Sequence, residues 1–348
     1  MKKLLVLLMA AMILSSGIAF AGAYTGPAVT AKIASEEIEG DFMTVWAKKF
    51  ADHMKDWSDG KIVFEVYPYG TLGATGDINE LAQMGVVQCV FSDYAWISAF
   101  VPQAQVLALN YIFPTEQVPQ TLDWMMKNGD FMPLMTKHFA DNGLVPASIM
   151  FEGWQWLSTK EPVKSLSDFK GTKIRVMGSK LLVEDYKSYG ASPTPMSYGE
   201  VYSGLQMGLI DGQVNPLFAI YSMKFYEVQN HLTQLKSEPF LGIPAFNKDF
   251  FDGLTKEAQA EIIKFWQDAI IPAGEWIIER NQHDGEMMKK EKPSLQFHTL
   301  DDAAVAEFKA QAETVYPKYV EIGGKGSQKM LDTLLKDIAE AKAALGVK

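Results

Sequence analysis

From Thr30 onward, short apolar runs alternate with stretches in which large apolar residues recur every three or four positions, the pattern of strands and amphipathic helices in turn. Residues 31–35 read as a strand. Phe42, Val45, Trp46, Phe50, Met54 and Trp57 then fall on one face of a helix over 42–57. A strand over 61–67 stops at Pro68, Gly70, Gly73 and Gly76 mark turns, a helix covers 77–85, and 86–91 reads as a buried strand. A second sheet is predicted from 144–150, 156–159, 173–177 and 212–215, with helices over 180–189 and 198–207 between its strands. Strand character returns over 235–246. From Lys256 the chain reads as helical, one stretch reaching Glu291 and broken only by Pro272 and Gly274. This is an α/β pattern of roughly twice the usual domain size, which predicts two lobes with several crossings between them. The first lobe is assigned 22–150 plus about 236–280, the second 151–235 plus about 281–348 with the C-terminal helices. Open α/β sheets bind ligands beyond the carboxyl ends of their strands, so two facing lobes predict a cleft.

Residues 1–21 interrupt this pattern. Lys2 and Lys3 precede an apolar run that ends with small residues at Ala19 and Ala21, which predicts a secretory signal cleaved after Ala21. Ser15, Ser16 and Gly17 leave the run short of a membrane span, and no cysteine follows it for lipid attachment. Cys89, the single cysteine, sits in an apolar strand and reads as a small core residue, so no intramolecular disulfide is expected. The net charge of −10 argues against nucleic acid and anionic membranes as partners. An anionic ligand would then need a local cation.

Arginine is scarce: only Arg175 and Arg280 occur among 32 basic residues. Arg175 alternates with the apolar Ile174 and Val176, which puts a guanidinium beside the core. It serves either a structural salt bridge or bidentate capture of a carboxylate or phosphate. Arg280, within the long helical stretch, reads as a structural or surface charge. No nucleophile elbow, zinc helix, phosphate loop or calcium loop occurs, and Ser167 in Ser167-Asp-Phe-Lys170 reads as a helix cap. The five histidines lack metal-ligand spacing, so neither metal nor cofactor is expected. In Phe151-Glu-Gly-Trp-Gln-Trp156, Gly153 permits close backbone approach; the rings of Phe151, Trp154 and Trp156 either pack the lobes or stack on a ligand. Asn215, directly before Pro216, either satisfies its own turn or fixes a ligand.

Leu166-Ser-Asp-Phe-Lys-Gly-Thr-Lys-Ile-Arg-Val176, Gly190-Ala-Ser-Pro-Thr-Pro-Met-Ser-Tyr-Gly-Glu-Val-Tyr202, Leu205-Gln-Met-Gly-Leu-Ile-Asp-Gly-Gln-Val-Asn-Pro216 and Lys224-Phe-Tyr-Glu-Val-Gln229 occur in this order, after Tyr67-Pro-Tyr-Gly-Thr-Leu-Gly73. Together they resemble the DctP-type solute-binding proteins of tripartite ATP-independent periplasmic (TRAP) transporters, over 42–244. The resemblance implies a two-lobed periplasmic binding protein fold with a long connecting helix. It also implies a non-enzymatic, monomeric periplasmic receptor that hands an organic acid to separate small and large membrane permease subunits. Arg175 would pair the carboxylate, Asn215 support it, Tyr198 line the pocket, and Ser92, Asp93 and Tyr94 contribute from the first lobe; Glu37 completes the set. Sialic-acid-binding relatives carry a second arginine where this chain has Gln155. One guanidinium flanked by Trp154 and Trp156 predicts a monocarboxylate with an apolar or aromatic body, such as an indole or phenyl acid or 2-oxo acid. A C4-dicarboxylate or sugar acid is the alternative, and a sensor module or secreted two-lobed hydrolase the more distant ones.

Overall fold

The computed structural model describes residues 24–347, so the predicted export segment lies outside the described residues. Ten strands form one sheet: β1 Val29–Ser35, β2 Ile62–Tyr67, β3 Cys89–Asp93, β4 Leu144–Pro146, β5 Met150–Thr159, β6 Lys173–Val176, β7 Ser192–Pro195, β8 Gly212–Asn215, β9 His231–Asn247 and β10 Gln296–Thr299. The main order is β2-β1-β3-β9-β5-β8-β6-β7, with β4 and β10 also on β9. The two sheets expected from the sequence are therefore joined. The reason is β9, whose 17 residues pair with β5 and β10 at one end and with β3 and β4 at the other. β5 accompanies it across the junction, with register shifts between Phe151 and Gly153 and between Trp154 and Trp156.

Strand direction places the cleft. β1, β2 and β3 run parallel, and so do β6, β7 and β8, while β3–β9, β9–β5 and β5–β8 are antiparallel. Three successive reversals turn the carboxyl ends of one triplet toward those of the other. Contact across the cleft confirms the closure: Tyr69, just beyond β2, accepts a hydrogen bond from the Gly199 N–H, beyond β7, at 3.0 Å. Yet β2 and β7 are opposite edges of the sheet.

A long helix, Ile270–Glu291, backs both lobes. The chain breaks at Ala269, before the positions the sequence suggested. Pro272 falls in the first helical turn, where its missing N–H would have had no intrahelical partner. Gly274 lies against Pro119 of the helix Val118–Asn128, so closely that an added Cβ would meet the proline ring at 2.4 Å. Near its middle, Asn281 donates to the Glu152 carbonyl of β5 at 3.0 Å and accepts from the Phe218 N–H at 3.0 Å. Asn281 thus ties the helix to β5 and to the helix Leu217–Ser222. Its amide needs the space at Gly153, whose φ is +119° and whose added Cβ would lie 2.6 Å from the Asn281 nitrogen. Gly153→Ala is accordingly expected to lower stability by on the order of 2 kcal/mol, from backbone strain and loss of this tie, measured by urea unfolding.

Candidate functional site

At the facing strand ends lies a small, tight cavity lined by Glu36, Glu37, Arg175, Met177, Tyr198, Asn215, Ala219 and Phe240. Each polar wall follows from a strand terminus. Arg175 lies on β6, held between β7 and β8 opposite Thr194 and Gln213, while its neighbours Ile174 and Val176 are fully buried. Only 1% of Arg175 is exposed. Its Nε donates to the Met196 carbonyl at 3.0 Å, and its Nη1 is buried without a partner. No carboxylate among the described residues comes within ion-pair distance of it. Burial pulls its pKa below the ordinary value, against the opposing pull of Asp93. A structural arginine would have spent its donors on a protein carboxylate. This one keeps a donor for something else.

Asn215 ends β8, and its amide donates to Gln213, whose own amide donates to Ser158 at 2.9 Å. This chain fixes the Asn215 rotamer. Tyr198 follows β7 with a buried hydroxyl that has no partner, its ring edge-on to Tyr69 at 5.7 Å and to Phe225 at 5.9 Å. Phe240, opposite Gly153 where β9 and β5 cross, adds an apolar wall.

The acidic wall comes from the turn after β1. Glu36 accepts from Ser92 Oγ at 2.8 Å and from the Asp93 N–H at 2.7 Å. Asp93 itself caps the next helix through the Ala95 and Trp96 N–H groups, and Tyr94 donates to Glu238 on β9. Ser92, Asp93 and Tyr94 thus stand behind the cavity wall, holding Glu36 and the adjoining helix. Glu37 accepts from the Met43 N–H at 2.6 Å, at the positive end of the helix Phe42–Trp57. Burial nevertheless dominates, holding Glu37 up at about 8 and Glu36 well above the carboxylate range.

Next to this wall, Arg280 is paired rather than free. It contacts Asp284 through Nε and Asp41 at 3.6 Å, while Ser222 donates to Asp41 at 2.7 Å. Asp41 therefore links the first lobe to the long helix and to the helix Leu217–Ser222. Burial raises its pKa to about 6.

Of the residues proposed from the sequence, Arg175, Asn215, Tyr198 and Glu37 meet at the cavity. Phe151, Trp154, Gln155 and Trp156 do not line it. Trp154 packs edge-on to Phe151 at 6.4 Å and Trp156 to Phe297 of β10 at 5.8 Å, while Gln155 is buried in β5. Glu36, Met177, Ala219 and Phe240 join the lining without having been singled out. The one sequence signal for Glu36 is an acidic doublet directly after an apolar strand.

Residues 33–322 match the family described as bacterial extracellular solute-binding protein, family 7, the DctP proteins. The chain belongs to this family. It is 37% identical over 334 residues to the ectoine/5-hydroxyectoine-binding periplasmic protein UehA of Ruegeria pomeroyi, covering 93% of this chain and 95% of the relative. To the ectoine-binding periplasmic protein TeaA of Halomonas elongata it is 34% identical over 311 residues, 88% of this chain and 89% of TeaA. The solved periplasmic ectoine-binding protein of the TeaABC TRAP transporter from that organism superposes with a TM-score of 0.84 at 33% identity, covering 90% of this chain and 100% of that one. The protein is thus a DctP-family TRAP solute-binding receptor with the two-lobed fold of its relatives, which are periplasmic solute-binding transport proteins rather than enzymes. Proteins of this kind bind small molecules and work with TRAP membrane permease subunits. Among the described residues no helix is long and apolar enough to cross a membrane. The expectation of a monocarboxylate with an indole-like or phenyl body is corrected here. The two DctP-type relatives just described are named for ectoine, and the tryptophans invoked for an aromatic body lie outside a cavity whose far wall is acidic.

Proposed function

We propose that this DctP-family receptor captures a small zwitterionic carboxylate of the ectoine type in the periplasm and delivers it to the membrane subunits of a TRAP transporter. One observation carries the reading: a buried guanidinium with an unpartnered N–H faces two glutamates across one small cavity. Ectoine joins a carboxylate to a ring bearing a delocalised amidinium. Arg175 takes the carboxylate with Asn215 beside it, Glu37 and Glu36 face the amidinium, and Phe240, Met177 and Tyr198 enclose the ring. A dicarboxylate or sugar acid answers Arg175 but leaves the glutamates opposed to further negative charge or to neutral hydroxyls. In a thermal-shift series at pH 8, ectoine and 5-hydroxyectoine are expected to raise Tm by mass action, with succinate, galacturonate and indole-3-acetate giving little. A larger shift with succinate or galacturonate than with ectoine would overturn the reading.

A further inference from the structure

Behind Glu37 stands a buried acid that the binding site as described does not use. Glu152 of β5 has no exposed surface, and both of its carboxyl oxygens are buried without receiving an N–H or O–H from the protein. Its carboxyl lies in a slot formed by the absence of a side chain. A Cβ on Gly242 of β9 would sit 2.1 Å from Glu152 Oε1, with Phe91 and Met43 closing the other sides. The group within hydrogen-bonding reach is the Glu37 carboxyl. Two facing carboxylates with no cation between them cannot both ionise at ordinary pH. An anion that accepts no hydrogen bond is also the costlier of the two to keep. Glu37 has the Met43 N–H; Glu152 has nothing.

We propose that Glu152 is a positioning residue: held protonated in the Gly242 slot, it donates its O–H to Glu37 and fixes the charge of the pair on the oxygen that meets the cationic end of the ligand. The surrounding groups support this assignment. Asp41 and Arg280 face Glu37 with opposite signs, whereas Glu37, Glu36 and Asp93, the groups that face Glu152, are all acids. Burial followed by Glu37 drives Glu152 well above the carboxylate range. The inference deepens the zwitterion reading and rests on it for the effect on affinity, while the proton itself is observable without any ligand.

The test combines infrared difference spectroscopy on the ligand-free protein with ectoine titrations of the wild type, Glu152→Gln and Glu152→Leu, with Tm recorded for each. At pH 9 the wild type is expected to show a protonated carboxylic acid band that Glu152→Gln lacks. The titration midpoint of Glu37, read from the same spectra, should be kept in Glu152→Gln, whose amide still donates, and should rise in Glu152→Leu. Ectoine affinity at pH 8 should stay within about threefold in Glu152→Gln and fall about tenfold in Glu152→Leu, the scale of one lost hydrogen bond to a charge. The proposal is overturned by absence of the acid band, or by a folded Glu152→Leu protein whose Glu37 midpoint matches the wild type. A wild type that shows the band and the midpoint shift yet ignores ectoine sinks the ligand reading alone.

Discussion

Replacing Arg175 with Ala is expected to weaken ectoine binding by about 3 kcal/mol, on the order of a hundredfold, in a calorimetric titration at pH 8. The size follows from the desolvation already present. The guanidinium is buried, makes no ion pair with the protein, and engages only its Nε–H, with Nη1 left unpartnered, so a ligand carboxylate would supply the partner the fold withholds. Lysine at this position is expected to recover little, because an ammonium cannot both hold the Met196 carbonyl and present a planar fork to the carboxylate. The substitution removes an unpaired buried charge, so the ligand-free protein should keep or slightly raise its Tm. A structural salt-bridge arginine would behave in the opposite way, losing stability with affinity unchanged, and that result would refute the ligand role.

The second large effect is on pH. Empty, the site holds Glu37 at about 8 because burial penalises its charge. A cationic ligand group favours the carboxylate, so binding must release a proton wherever Glu37 is still protonated. Affinity is therefore expected to rise roughly tenfold per pH unit from about pH 6 and to level off near pH 8, with proton release visible as a buffer-dependent binding enthalpy. Stability of the empty protein runs the other way. Glu37 binds its proton more tightly folded than unfolded, so the folded state gains below the unfolded carboxylate range and loses that gain as pH climbs to about 8. Glu238, also held at about 8 by burial, adds to the same trend. The Tm of the empty protein should thus decline from pH 5 to pH 8 while the ectoine-induced shift grows. Glu37→Gln mimics the protonated acid: it should bind like the wild type near pH 6, lose the rise, and fall well over tenfold short at pH 8. If affinity instead drops above pH 8 in the wild type, the ligand is purely anionic and Glu37 does not face a cation.

Much of this arrangement is legible from local sequence because it rests on local periodicity. Alternation of Ile174, Arg175 and Val176 puts the guanidinium beside the core, and on β6 all three residues are buried. Gly153 marks a close approach, and the partner is the Asn281 amide. Period-3.6 spacing locates the helix Phe42–Trp57 at both ends. Where periodicity misleads, a tertiary partner or the position within a helix explains it. Gly274 is accommodated by the packing of Pro119, and Pro272 is harmless in a first turn, so neither breaks the long helix. The paired tryptophans suggested a stacking platform, but β5 crosses the lobe junction with two register shifts and sets both rings outside the cavity.

The sequence by itself determined the family, the α/β alternation and the placing of one guanidinium at the carboxyl end of a strand, since each depends on residues adjacent in the chain. Only the tertiary structure decided what that guanidinium faces. Glu36 and Glu37 lie more than a hundred residues upstream of Arg175, and three antiparallel reversals around β9 and β5 bring their strand ends opposite each other. The same crossing sets Gly242 beside Glu152 and so creates a slot for a carboxyl group. Charge balance in a desolvated cavity depends on every group that folding brings there, and an acidic doublet after a strand does not reveal its opposing arginine until the sheet has turned.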